Sequence, residues 1–315
     1  MAERVFSLAR LFVAAVIAAL LVCAGALAYL ARDLPSNPVD ARLFAASDLK
    51  FVMGSGKADG ERLLIDGFTD QYALLSSGPV AVNADDYRFL TASLDRLPEG
   101  EAPSLFWRRS EAPADLVQLR LGESGDLLIE LSRHPNWRGE ISELGFLFHD
   151  DGGPPVTLGP ATLEPDTFAL RLRLTWDSWT AFEHWTQKSI NFLQGGAFEQ
   201  PVRLPLLVMA WIALTLALAA LLARLSGQRG VRELMASGAV IFIVAWMALD
   251  LRWTANSALQ LRQTKIVYLG IDEPEKLRRG LDGEVYNYVE RLKSAVFPEQ
   301  PARILIIGGD QSVEY

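Results

Sequence analysis

The chain has 315 residues, half of them hydrophobic and 22% charged, with a net charge of −8 and a sequence pI near 5.1. That length admits one sizeable domain with membrane segments, or two small domains. The acidic balance, with no basic cluster to reverse it, excludes nucleic acid as a partner. The single cysteine, Cys23, excludes a disulfide framework and a cysteine-based zinc site.

Residues 11–31 form 21 positions without a charge, preceded by Arg4 and Arg10 and closed by Arg32-Asp33. A secretory signal peptide has an apolar core of roughly 7–15 residues, so an uncleaved membrane helix is expected. The small residues of Ala26-Leu27-Ala28 keep cleavage open as the alternative. A lipoprotein signal is excluded, because Val22 stands before Cys23 where a small residue belongs. Next comes an extended linker, Leu34-Pro35-Ser36-Asn37-Pro38, stiffened by its two prolines.

From Ser47 onward the pattern is one of short strands: 49–53, 62–65, 72–75, 87–94, 104–108, 116–121, 127–131, 141–148 and 156–163. Alternation is visible where Tyr87, Phe89, Thr91 and Ser93 interleave with Arg88, Leu90, Ala92 and Leu94. It recurs where Val117, Leu119 and Leu121 interleave with Gln118 and Arg120. Gly122 and Gly125-Asp126, between two such runs, predict a hairpin loop. Strands at this spacing, with no helix-length segment among them, predict an antiparallel β-sandwich over residues 33–174.

The period then changes. Trp176, Trp179, Phe182, Trp185, Ser189 and Phe192 recur every three or four positions, which predicts an amphipathic helix from residue 175 to about 193. Indole favours the headgroup region, so this stripe is either an interfacial helix or a helix packed on the flank of the sandwich. Gly195-Gly196 breaks it, and the helix with its linker occupies 175–200.

Two further apolar stretches lie back to back within residues 201–253: twenty uncharged positions at 204–223 and sixteen at 234–249. A helix needs about 20 apolar residues to cross a bilayer core of about 30 Å. The second stretch reaches that length if Asp250 and Arg252 lie at the interface with Trp253 as an anchor. The expected architecture therefore has three transmembrane helices, with an N-terminal anchor over 1–32 and a hairpin over 201–253.

With the N-terminus inside, the inner flanks carry five arginines in 20 residues and the outer flanks six basic residues in 45. Residues 33–202 hold 14 basic and 26 acidic residues, a net of −12, which suits an exported domain. The expected placement is a bacterial inner membrane, with the N-terminus cytoplasmic and residues 33–202 and the C-terminus periplasmic. After Trp253 the pattern predicts a strand at 265–270, a helix at about 283–296 and a buried strand at 302–307 leading into Gly308-Gly309-Asp310. Strand, helix and strand open an α/β domain, but one such unit cannot bury both faces of two parallel strands. Residues 254–315 are therefore expected to be part of a longer α/β domain, or to dock on the sandwich or on a partner.

The sandwich region resembles the galactose-binding-like jelly roll found in carbohydrate-binding modules and in accessory domains of envelope glycan machinery. The likeness rests on Ala102-Pro103-Ser104-Leu105-Phe106-Trp107, on the run from Asp126 to Leu131, and on His134-Pro135-Asn136-Trp137-Arg138-Gly139 before the strand at 141–147. It covers about 120 residues and implies glycan binding, or scaffolding in envelope polysaccharide or glycoconjugate assembly, without catalysis. Implied partners are the lipid bilayer, an envelope glycan, and glycosyltransferase or polymer-export proteins.

Sugar recognition needs aromatic faces and planar polar groups. Trp107 with Arg108 and Arg109, and His134, Asn136, Trp137 and Arg138, supply those types. The competing role of the tryptophans is core packing. No acidic cluster matches a calcium loop, and Asp150-Asp151-Gly152-Gly153 reads as a turn. The segment 299–310 is similar to the first strand and glycine loop of spermidine-synthase-like and methyltransferase folds, which implies the alternative of a membrane-tethered enzyme. That loop lacks the further glycines such folds use, and no cofactor is expected. No Ser-His-Asp arrangement, H-E-x-x-H motif or P-loop occurs, and His134, His149 and His184 are too scattered for a metal site.

Overall fold

A computed structural model describes residues 2–95, 103–121, 125–149, 155–180, 202–226, 231–280 and 283–295. They fall into two compact units, one of residues 1–181 with 195–242, the other of residues 182–194 with 243–315. In the first unit, helix α1 (Ala2–Leu30) precedes eleven strands, helix α2 (Phe168–Thr180) and helix α3 (Leu204–Leu225). Helix α4 (Val231–Tyr268) starts in this unit and runs into the second, which adds α5 (Glu273–Arg279) and α6 (Gly283–Ala295).

The strands are β1 (Arg42–Phe44), β2 (Lys50–Met53), β3 (Ser55–Asp59), β4 (Arg62–Gly67), β5 (Tyr72–Asn83), β6 (Phe89–Asp95), β7 (Ser104–Arg109), β8 (Ala112–Arg120), β9 (Gly125–Glu130), β10 (Glu140–His149) and β11 (Val156–Glu164). Every pairing is antiparallel. One sheet has the order β3-β4-β11-β6-β9, with β1 also on β11; the other has the order β2-β5-β10-β7-β8. The expected antiparallel sandwich is what these strands build. Among the described strands, only β3–β4 and β7–β8 are consecutive neighbours within one sheet, and every other consecutive pair lies in different sheets, as in a jelly roll.

Burial follows the period of two. Leu63 and Ile65 on β4, Leu90, Ala92 and Leu94 on β6, and Leu158 and Leu163 on β11 face Leu75 on β5, Leu105 and Trp107 on β7, and Leu144, Phe146 and Phe148 on β10. Each large side chain so buried contributes roughly 1.5–3 kcal/mol. Strands β2 and β3 are one chain path that leaves one sheet for the other at Gly54. There φ is +84°, and a Cβ would stand 2.6 Å from the Gly67 carbonyl oxygen. Only glycine meets both demands without strain.

Several expectations are corrected. The loop around Gly122 and Gly125 does not close a hairpin, because β8 pairs with β7 in one sheet and β9 with β6 in the other. Alternation fixes which residues are strands but not which strand is the partner. Strands β1 and β3 were not expected: β1 is three residues long, and β3 (SGKAD) carries no apolar alternation. Helix α2 begins at Phe168, before the expected start at 175.

Residues 265–268, expected as a strand, are the last turn of α4. A helix already propagating over 38 residues adds each further residue at little cost, so a short β-branched run does not stop it. It ends at Gly270, whose φ of +82° is the left-handed conformation that closes helices. The strand-helix-strand reading thereby loses its first strand, and the described elements after 254 are all helices. The helix expected at 283–296 is α6, while the strand expected at 302–307 and the glycines after it lie outside the described residues.

Among the described residues, three helices are long and apolar enough to cross a membrane: Ala9–Leu30, Leu204–Leu225 and Gly238–Tyr268. The third window is longer than expected and runs past Asp250, Arg252 and Trp253 without a break. Helices α1 and α3 pack together, and the Trp211 indole N–H donates to the Ala15 carbonyl at 2.9 Å.

A network of ion pairs joins sandwich to helices within the first unit. Arg88 contacts Glu130 at 2.5 Å and Asp166 at 2.9 Å, and Asp166 also pairs with Arg171. Arg171 in turn donates to the carbonyls of Leu30 at 2.9 Å and Arg32 at 2.6 Å. A cation there satisfies carbonyls that the end of α1 leaves open. Burial acts against the Asp166 charge, but hydrogen bonds from Arg171 and Arg88 outweigh it and hold the carboxyl below its ordinary value. Burial likewise opposes the Arg88 charge, and Glu130 and Asp166 outweigh it, raising that guanidinium above its ordinary value.

Candidate functional site

The loop that carries most of the expected site residues follows β9 and a short 3-10 turn, Leu131–Arg133. Backbone bonds shape it: Leu131 N–H donates to the Arg88 carbonyl, His134 N–H to Leu131 and Trp137 N–H to His134. Asn136 N–H donates to His134 Nδ1 at 3.2 Å, and the Gly139 carbonyl accepts from Ala84 N–H at 2.8 Å.

Trp137 lies inside this frame, 5% exposed, with its indole N–H shared between the carbonyls of Ala84 at 3.1 Å and Tyr87 at 2.8 Å. Trp107 has no exposure, and its indole N–H donates to the Asn136 carbonyl at 3.1 Å. The two indoles meet edge to face at 5.4 Å, and the His134 ring meets Trp107 in the same way at 4.9 Å. Both tryptophans therefore belong to the core, and neither presents a free face on which a sugar ring could stack. The stacking role expected of Trp137 and Trp107 is corrected to packing: a buried indole can bring its N–H to a backbone carbonyl, and a loop folded over the end of a sandwich supplies several.

Of the other expected residues, His134 and Asn136 are half-buried and Arg138 is exposed. Arg108 lies on a different surface, the outer face of the five-stranded sheet. On β10 the core takes Ile141, Leu144, Phe146 and Phe148, which turns Glu143, Gly145, Leu147 and His149 outward. Pairing then aligns a row across all five strands: Lys50, Ser76, Gly145, Phe106 and Gln118. Gly145 is required where it stands, since a Cβ would lie 2.0 Å from the Leu75 carbonyl oxygen and 2.5 Å from the Phe106 ring.

Beside that row Glu143 is held from two sides. Ser76 donates its hydroxyl to Oε1 at 2.5 Å, and Arg108 Nε reaches Oε2 at 3.0 Å. Arg108 is fixed further by the carbonyls of Pro113 at 2.8 Å and Ala114 at 3.2 Å. At the far end of the same strands Tyr72 and His149 meet edge to face at 5.1 Å. The result is a carboxylate and a guanidinium held together on a sheet face, with exposed Lys50, Gln118 and Arg120 on the neighbouring strands. Ser76, Glu143, Phe106 and Gln118 were missed by sequence reasoning. Strand alternation around Arg108 could have found Phe106, but only register brings Ser76 to Glu143, 67 residues apart.

The interfacial residues divide. Trp176 is exposed on α2, and Trp179 is half-buried, donating its indole N–H to the Val202 carbonyl at 3.0 Å. Trp253 is exposed on α4. Phe182 and Trp185, and the turn at 150–153, lie outside the described residues. No group of side chains able to hold a metal occurs among the described residues.

No protein-family model matches this chain, and no curated protein matches it. Among solved structures, the chain is similar to a low-affinity xylan-binding module, CBM86, from Roseburia intestinalis, at 18% identity and TM-score 0.31, over 40% of this chain and 96% of that one. It is similar to a variant of a family 29 carbohydrate-binding module at 10% identity and TM-score 0.30, over 41% and 96%. It is also similar to a family 11 carbohydrate-binding module from Clostridium thermocellum at 13% identity and TM-score 0.24, over 40% and 85%. These neighbours are carbohydrate-binding modules; at such identities and scores no ligand and no residue role is carried over from them.

Proposed function

We propose that this is a non-catalytic inner-membrane protein whose β-sandwich, on the periplasmic side, binds a glycan in envelope polysaccharide or glycoconjugate assembly. The observation that carries the glycan reading is the outward-facing Glu143, fixed between Ser76 and Arg108 on the five-stranded sheet. A carboxylate and a guanidinium held in place before a ligand arrives lose little freedom when they accept from and donate to vicinal hydroxyls. The neighbouring Gln118 and Lys50 extend that hydrogen-bonding row, and no aromatic face in it is free enough to add strong stacking. Affinity on such a surface is weak, on the order of millimolar to micromolar. The membrane placement is supported by the three apolar helices and by the −12 net charge of residues 33–202.

A glycan array probed with the detergent-solubilised full chain tests this. Retention on an envelope polysaccharide is expected, with loss on Glu143→Gln or Arg108→Ala and little change on Arg138→Ala. If instead Arg138→Ala alone abolishes retention, the ligand sits on the loop at 134–139 rather than on the sheet. If the intact chain is retained on nothing, the glycan reading fails and a scaffold remains.

A further inference from the structure

In the first unit a cavity of about 1090 Å³ opens where the sandwich meets the helices. Part of its lining is apolar: Leu30 from the last turn of α1, Leu174 of α2, and Leu206 and Leu207 from the first turn of α3. The rest is largely charged, with Arg32, Arg88, Arg133, Arg171 and Arg203 and the acids Asp33, Glu130 and Asp166. Those eight groups leave a surplus of two positive charges in a chain whose net charge is −8.

The acids are all engaged. Glu130 contacts Arg88 and Arg133, Asp166 contacts Arg88 and Arg171, and Asp33 contacts Arg32 at 3.0 Å. Arg203, exposed at the N-cap of α3, has no ion pair among the described residues, and Arg32 is held only by its exposed neighbour. Two guanidiniums therefore stand at the cavity's rim with donors to spare.

We propose that this cavity receives the phosphate-bearing headgroup of an anionic membrane lipid, with its acyl chains along α1 and α3. The proposal rests on the reading that α1 and α3 cross a bilayer. Under it, the ends of both apolar stretches, Leu30 and Leu204, set the depth at which hydrocarbon gives way to headgroups. The arginines then meet phosphate at its own level, and a guanidinium fork suits two phosphate oxygens at once. A soluble phosphate would leave the leucines of the lining without an occupant; a lipid brings both a headgroup and apolar chains.

The test uses the full chain. Alkaline carbonate treatment of membranes comes first: extraction of the chain would overturn the spanning reading itself. The integral protein is then reconstituted in mixed phosphatidylglycerol and phosphatidylcholine nanodiscs, and retained lipid is counted by native mass spectrometry. Enrichment of phosphatidylglycerol is expected, falling about five-fold per arginine removed in Arg32→Gln and Arg203→Gln, the attraction one arginine has for an anionic surface. The melting temperature should not move, because neither side chain holds the Arg88 and Arg171 network. Equal retention of the two lipids, or unchanged enrichment in the double variant, overturns the proposal. Release of the bound lipid by inorganic phosphate alone also overturns it, by making the cavity a site for a soluble anion.

Discussion

At the scale of the residue, tryptophan shows how much a side-chain type says and where it stops. Trp107 and Trp137 stand in a sequence context that fits a sugar platform, and both are walled in by each other and by backbone carbonyls, Trp107 also by the His134 ring. Type was legible; the direction a loop residue points was not, because it depends on contacts with Ala84 and Tyr87, some 50 positions away. Trp137→Ala should accordingly cost about 3–5 kcal/mol, seen as a lower denaturation midpoint, with Arg138→Ala close to neutral. A second prediction concerns Asp166. Because its carboxyl is held below the ordinary value in the fold, its stabilisation is complete above that value and is lost as pH falls through the lowered one. Asp166→Asn strands Arg171 and should cost about 3 kcal/mol at neutral pH. In acid, below the lowered value, thermal melts of variant and parent should differ by less, since the parent's carboxyl is then neutral too. Glu164 runs the other way: burial pushes its carboxyl up, against a Thr91 hydroxyl bond that lowers it, so its charge weakens the fold at neutral pH.

At the scale of the element, nine of the eleven strands are legible as short runs bounded by turn residues, and alternation shows plainly in two of them, at 87–94 and 117–121. The two that are not legible are short or polar, and are held as strands by partners rather than by their own pattern. Strand β1 lies on the edge of β11 at Ala161–Leu163 while β4 takes the same strand at Val156–Leu158. Pairing, unlike alternation, is a tertiary property, and the mistaken hairpin at Gly122 follows from that. So does the mistaken strand at 265–270, where a helix begun far upstream decides the conformation. Gly54 is the element-scale prediction: the turn from β2 into β3 depends on its positive φ and on the space that the Gly67 carbonyl leaves. Gly54→Ala should destabilise by about 1–3 kcal/mol and lower the melting temperature, whereas Gly60→Ala, in open space, should pay only for its φ.

At the scale of the whole molecule, the apolar stretches were legible from composition alone, and α4 is the exception in length. At about 1.5 Å per residue its 38 residues span roughly 57 Å, nearly twice a hydrocarbon core. A reporter active only outside the cytoplasm, inserted at the exposed turn of Gly60, should be active, and one inserted at Ser226 after α3 should be silent. The opposite pair of results would invert the proposed orientation. The clamp between Arg171 and the carbonyls of Leu30 and Arg32 also sets a schedule. The contact to Arg32 joins residues 139 positions apart, so the end of α1 leaves the ribosome long before its cap exists. At roughly 5–20 residues per second, that wait lasts on the order of ten seconds. Through it the sandwich has neither its last strand nor the acid that Arg88 shares with Arg171. Strand β11, which joins β1, β4 and β6 in one sheet, arrives at the end of the same interval. Biosynthesis therefore holds most of this domain open until its final stretch is made, and a chain stalled before Glu164 would present unpaired strand edges to whatever lies nearby.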